Sequence, residues 1–115
     1  KVGNIYLGQN WMYYQFGANF QVIKLSDLAW LYKKVIKQRG VSTYHAFFYD
    51  KHGKNVSVSA RQKNVDAMLE AVAQRAPWAI AGYTAEIEKA WKKDRAGFLA
   101  AVEERRMKAA GGNWG

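Results

Sequence analysis

The apolar period of this chain changes once, near residue 60, and that change limits the folds open to it. Before it, short runs rich in Tyr, Phe, Trp, Val and Ile are broken by Gly and Asn, the mark of strands joined by tight turns. After it, Val65, Met68, Leu69 and Val72 recur at i, i+3, i+4 and i+7, which puts one apolar stripe on a helix. Strands first and helices afterwards imply an α+β fold rather than a chain of βαβ units.

The strands expected are Ile5 to Leu7, Trp11 to Phe16, Phe20 to Lys24, Ala29 to Lys37, Tyr44 to Tyr49 and Asn55 to Ala60. Gly8-Gln9-Asn10, Gly17-Ala18-Asn19 and Arg39-Gly40 separate them, and Leu25-Ser26-Asp27-Leu28 reads as a short turn. The last two strands make the clearest hairpin, through Asp50-Lys51-His52-Gly53-Lys54. Val56 and Val58 alternate there with Asn55, Ser57 and Ser59, giving one buried and one wet face.

Ser59-Ala60-Arg61-Gln62 fits a capping box for the first helix, and Pro77 ends it because proline has no N–H to donate. Trp78 to Gly82 reads as an apolar bridge. Thr84 caps a second helical segment with Glu86 and Glu88 at the positive end of its dipole. Ile87, Trp91, Phe98 and Val102 form its stripe, with a break expected near Gly97. Trp30, Trp78 and Trp91 belong to the core on this reading, Trp11 is partly buried, and Trp114 has no visible packing partner.

A chain of 115 residues suits one core, so a single domain is expected over residues 1–110. Its strands span about 5–60 and its helical segments about 60–76 and 84–108, with a flexible tail at 111–115.

Catalytic raw material is thin. The absence of cysteine excludes a disulfide framework, a thiolate zinc site and a cysteine nucleophile. His45 falls in a strand and His52 in a turn, and neither sits in a carboxylate cluster. Asp66 and Glu70, near Lys63 and Arg75, read as a solvated helix face, as does Glu103-Glu104-Arg105-Arg106. No phosphate-cradling loop, nucleophile elbow or paired-histidine metal motif occurs. The expectation is therefore no enzyme, no catalytic residue, no metal site and no cofactor; an enzyme of unfamiliar type would need His45 beside a carboxylate.

Eighteen Lys and Arg against nine Asp and Glu leave a formal charge of +9, which favours anionic partners. The excess is concentrated: Lys33, Lys34, Lys37, Arg39, Lys51, Lys54, Arg61 and Lys63 face Asp50 alone between Leu31 and Asn64. If their strands are neighbours, these cations merge into a face interleaved with Tyr32, Tyr44 and Tyr49, suited to phosphate contact and base stacking. The competing reading is that lysines on strand edges only keep a sheet soluble.

No apolar run reaches the roughly 20 residues of a membrane helix, and no signal peptide opens the chain. A cytoplasmic location is expected, with any tether to the inner face of the membrane supplied by a segment outside this chain.

Ile5-Tyr6-Leu7-Gly8-Gln9-Asn10-Trp11 and the run from Phe20 to Tyr32, with its Leu25-Ser26-Asp27-Leu28 turn, resemble bacterial pleckstrin-homology-like domains of unknown function. Pro77-Trp78 and Gly82-Tyr83 extend the resemblance over most of the chain. It implies an antiparallel sheet or roll of about six or seven strands followed by two C-terminal helical segments, the second available to cover an edge or make a dimer. It also implies a non-catalytic protein-interaction adaptor in a larger, membrane-associated protein. Gly8-Gln9-Asn10 carries none of the basic residues with which phosphoinositide-binding relatives hold a headgroup. The expected partner is a protein, with an anionic membrane surface or nucleic acid bound through the Leu31 to Asn64 region as alternatives.

Overall fold

The computed structural model describes residues 5–16 and 18–111. Gly17 and the tail from residue 112 on, with Trp114, lie outside the described residues; Gly111 closes the last helix. Strands β1 (Ile5–Leu7), β2 (Trp11–Phe16) and β3 (Asn19–Lys24) form an antiparallel sheet in that order. A single 3-10 turn (Leu25–Asp27) leads into β4 (Leu28–Gln38), β5 (Val41–Asp50) and β6 (Asn55–Ala60). Helix α1 (Gln62–Arg75), a two-residue strand β7 (Ile80–Ala81), α2 (Ala85–Lys93) and α3 (Arg95–Gly111) complete the chain. Among the described residues this is an α+β fold of seven strands in two sheets and three helices.

The second sheet runs β6-β5-β4-β7. It is mixed rather than wholly antiparallel: the expected bridge from Trp78 to Gly82 contains β7, which pairs parallel to β4 at Trp30 and Leu31. Helix α1 supplies the crossover that parallel pairing requires. Two residues are too short for an alternation pattern, so only the apolar Ile80-Ala81 pair hinted at a strand.

Side chains alternate across β4 and β5, and the two faces bury different material. Leu31, Ala46, Phe48, Val56 and Val58 face a largely aliphatic core with Ile5, Met12 and Ile23 from the first sheet and Val65, Met68 and Val72 from α1. Trp30, Tyr32, Phe47 and Tyr49 face an aromatic core closed by Trp91, Phe98 and Val102. A bulge between Leu28 and Trp30 shifts the register and puts Ala29 on the aromatic side with Trp30. Trp30 is the hub, with ring centroids of Tyr32, Tyr49, Trp91 and Phe98 at 4.7, 4.9, 5.7 and 5.9 Å.

One helix start differs from expectation. Ser59 stays in β6 and gives α1 no cap: Arg61 holds the N-cap position without a side-chain bond. The strand wins because Val56 and Val58 are buried through pairing with Phe48 and Ala46, which carries β6 as far as Ala60. The second helical segment breaks near Gly97 as expected, with the junction itself at Asp94. Asp94 ends α2 and caps α3, its carboxylate accepting the Gly97 N–H at 3.1 Å. Thr84 caps α2 as expected, accepting from the Ile87 N–H at 3.1 Å. No helix among the described residues is long and apolar enough to cross a membrane.

Candidate interaction surface

β4 and β5 are longer than the body they belong to. β6 pairs with β5 only as far as Tyr44 and β7 with β4 only at Trp30 and Leu31, so from Val35 to Thr43 the two strands continue as a two-stranded ribbon. Arg39 and Gly40 close it with φ of 51° and 77°, the paired left-handed conformations of a two-residue hairpin turn whose twist matches its strands. Val35 and Val41 are 41 % and 62 % exposed there. An apolar pair on a solvated ribbon is a local departure from inside-out patterning.

The eight expected site cations divide between two ends of the sheet. Lys33, Lys34, Lys37 and Arg39 lie on or beside the ribbon, and Arg61 and Lys63 lie at its base, because β6 runs back from Asn55 to Ala60 opposite Tyr44. Lys51 and Lys54 are in the β5–β6 turn, roughly 30 Å away along β5 at the rise of an extended strand. There they contact neighbouring segments of the fold. Lys51 Nζ lies 3.4 Å from Asp27, and Lys54 Nζ donates to the Val22 carbonyl at 2.6 Å. His52 Nε2 is 3.6 Å from Asp27, and buried Asp50 accepts the His52 and Lys54 N–H groups at 2.9 Å each. These contacts pin the turn to the 3-10 segment.

Of the ribbon cations, Lys33 pairs with Asp66 of α1 at 2.9 Å. Lys34 adds to the field that lowers the Glu88 carboxyl, after the hydrogen bond from Tyr83 and the contacts with Lys92. Lys37 and Arg39 have no ion pair among the described residues. Arg61 and Lys63 stand at the positive end of the α1 dipole, where the first turn holds no acid. Cations at that position raise the local potential at some cost to the helix.

Two of the three tyrosines expected among these lysines are elsewhere. Tyr32 is 9 % exposed and Tyr49 half-buried, both packed on Trp30. Burial and the bond with Tyr49 push the Tyr32 phenol well above its usual range. Tyr44 stays at the base of the ribbon, half-buried opposite Val35, whereas the other two stacking partners for bases are inside the aromatic core, which α2 and α3 cover. Their pattern matched an exposed platform because a strand face gives the same alternation whether water or a helix lies against it.

Two hollows flank the ribbon. One, of about 270 Å³, is lined by Tyr32, Lys33, Lys34, Val35, Tyr83 and Glu88, where the chain leaves β7. Tyr83 donates its hydroxyl to Glu88 at 2.5 Å, which raises the phenol and lowers the carboxyl. The other is an open groove of about 500 Å³ along Ser42 to His45 and Ser59 to Gln62. His45 lies in it with Nδ1 2.7 Å from the Ser59 hydroxyl and Nε2 3.1 Å from that of Thr43. Its ring nitrogens meet hydroxyls, not carboxylates. No group of three or more His, Asp or Glu positioned to hold a metal occurs among the described residues.

A family model described as "Domain of unknown function (DUF6709)" matches residues 1–91. No curated protein and no solved structure matches the chain.

Proposed function

As the chain belongs to DUF6709, a family of domains of unknown function, we propose its role from its own geometry: it is a non-catalytic interaction module that offers the basic β4–β5 ribbon to a protein partner. The observation that carries this reading is the ribbon itself. It extends past both flanking strands, and it exposes Val35 and Val41 among Lys34, Lys37 and Arg39. Exposed apolar side chains beside uncompensated charge are the composition of a binding surface.

The pleckstrin-homology-like kinship is part of the same proposal. Two packed sheets followed by helices support it, as does the 3-10 turn at Leu25–Asp27 where the resemblance puts one. Bacterial origin, a cytoplasmic setting and a membrane tether outside this chain complete that picture. The nucleic-acid alternative keeps its phosphate contacts and Tyr44 but has two fewer stacking rings, since Tyr32 and Tyr49 face inward.

Charge reversal at the two ends of the sheet tests the proposal. Lys34→Glu, Lys37→Glu and Arg39→Glu together should abolish capture of the partner from native extract, while Lys51→Glu with Lys54→Glu in a folded protein should leave it. Equal capture by both variants would reject the ribbon as the binding surface. Capture lost on nuclease treatment, with affinity falling steeply as salt rises, would establish nucleic acid instead.

A further inference from the structure

The ribbon carries an open sheet edge, and the register identifies the backbone groups on it. Beyond Leu31, among the described residues, β4 pairs only with β5. The Leu31 carbonyl accepts the Gly82 N–H at 2.8 Å on the β7 side. Backbone groups of successive residues point to opposite sides of a strand. Those of Lys33, Val35 and Lys37 therefore point the same way as those of Leu31, away from β5. Gly82, at φ 115°, then turns the chain off this edge instead of covering it.

We propose that this edge accepts an extended acidic segment of a protein partner, added as a strand beside Lys33 to Lys37 in continuation of β7. The inference rests on the interaction-module reading and specifies the mode and the chemistry. Strand addition takes its affinity from main-chain hydrogen bonds and its specificity from side-chain hollows. Both are here: three residues' outward N–H and C=O groups, and the 270 Å³ hollow of Tyr32, Val35 and Tyr83 where the added strand begins. Charge selects the occupant. Lys33, Lys34, Lys37 and Arg39 repel another copy of this edge and attract carboxylates. Glu88 in the hollow is already engaged by Tyr83 and Lys92, and Asp66 by Lys33. A nucleic acid would use the same cations but none of the backbone groups, so the ladder separates the two occupants.

The test is an NMR titration of the full chain with three probes: a capped heptapeptide alternating Glu and Val, the same heptapeptide N-methylated at every residue, and a short DNA duplex. The Glu-Val peptide should slow amide exchange at Lys33, Val35 and Lys37. The N-methylated peptide, equal in charge but with no N–H to give to the edge, should bind about tenfold more weakly or worse. Val35→Pro removes an outward N–H while leaving the bonds to β5 intact, and should weaken the Glu-Val peptide by a similar factor. Lys34→Glu with Lys37→Glu, which leaves the backbone untouched, should do the same without risk to the fold.

Equal binding of the two peptides, absence of amide protection, or a duplex bound more tightly than the Glu-Val peptide and indifferent to Val35→Pro would each overturn the inference. If the peptide fails while charge reversal on the ribbon still abolishes partner capture, strand addition falls and the interaction module stands.

Discussion

β4 is two strands in one. Its first five residues, Leu28 to Tyr32, are all buried, with an aliphatic core on one face and an aromatic core on the other. Its last six, Lys33 to Gln38, are almost all exposed, charged or β-branched, and paired on one side only. The backbone conformation is continuous; what changes is the number of layers against it. The buried half is where stability resides, and the exposed half tolerates change in sequence without unfolding.

That division should show first in Trp30→Ala, which removes the hub of the aromatic core and its indole bond to the Gly82 carbonyl at 2.8 Å. The expected loss is about 3–5 kcal/mol in denaturant unfolding, a large share of a small domain's stability. A loss below about 1 kcal/mol would break the comparison. Gly82→Ala comes next. A β-carbon there meets nothing within 4 Å, so the cost is backbone strain alone, about 1–3 kcal/mol by the same measurement. Lys33→Ala, at the boundary between the halves, should cost about 0.2–1 kcal/mol and less in high salt, because its pair with Asp66 is solvent-exposed.

Beyond the boundary, Lys37→Glu and Arg39→Lys should each leave unfolding within about 0.5 kcal/mol of the parent, apart from the small cost of a left-handed residue that Arg39 already bears. The smallest effect concerns the hollow lined by Tyr83 and Glu88. The Tyr83 hydroxyl holds Glu88 below the usual carboxylate range, with Lys92 assisting. A lowered carboxylate contributes stability above its ordinary pKa and loses it as pH falls through the lowered value. Tyr83→Phe should therefore move the Glu88 carboxyl signal in an NMR titration up toward its usual midpoint, while the unfolding midpoint at neutral pH hardly changes.

The elements with several periods of pattern were legible in the sequence: α1 from Val65, Met68 and Val72, the β5–β6 hairpin from Val56 and Val58, and the α2 cap from Thr84. The candidate surface was legible in composition and not in arrangement. Charge counted along a sequence cannot tell that β5 carries Lys51 and Lys54 to the far end of the sheet from Lys37 and Arg39. Nor does a run of aromatics say which side a later helix will take, and Trp91 and Phe98 lie 42 and 49 residues beyond the Tyr49 they pack near. Ser59 carried a cap signature but answered instead to His45 across the strand pair. In each case a contact between distant segments outweighed the local rule.

The C-terminal helix is fastened by arginine forks at carbonyl oxygens rather than by apolar area alone. Arg105 donates to the Trp78 carbonyl at 3.0 Å and reaches those of Pro77 and Ala79, while Arg106 donates to Ser26 and lies 4.4 Å over the Trp78 ring. A fragment trimmed at Trp91 would retain every strand yet strip the lid from Trp30, Tyr49 and Trp91 itself, converting a packed wall into an adhesive patch. Practical boundaries for expression therefore fall after Arg106, and lysine in place of Arg105 would keep the charge while losing the fork that does the fastening.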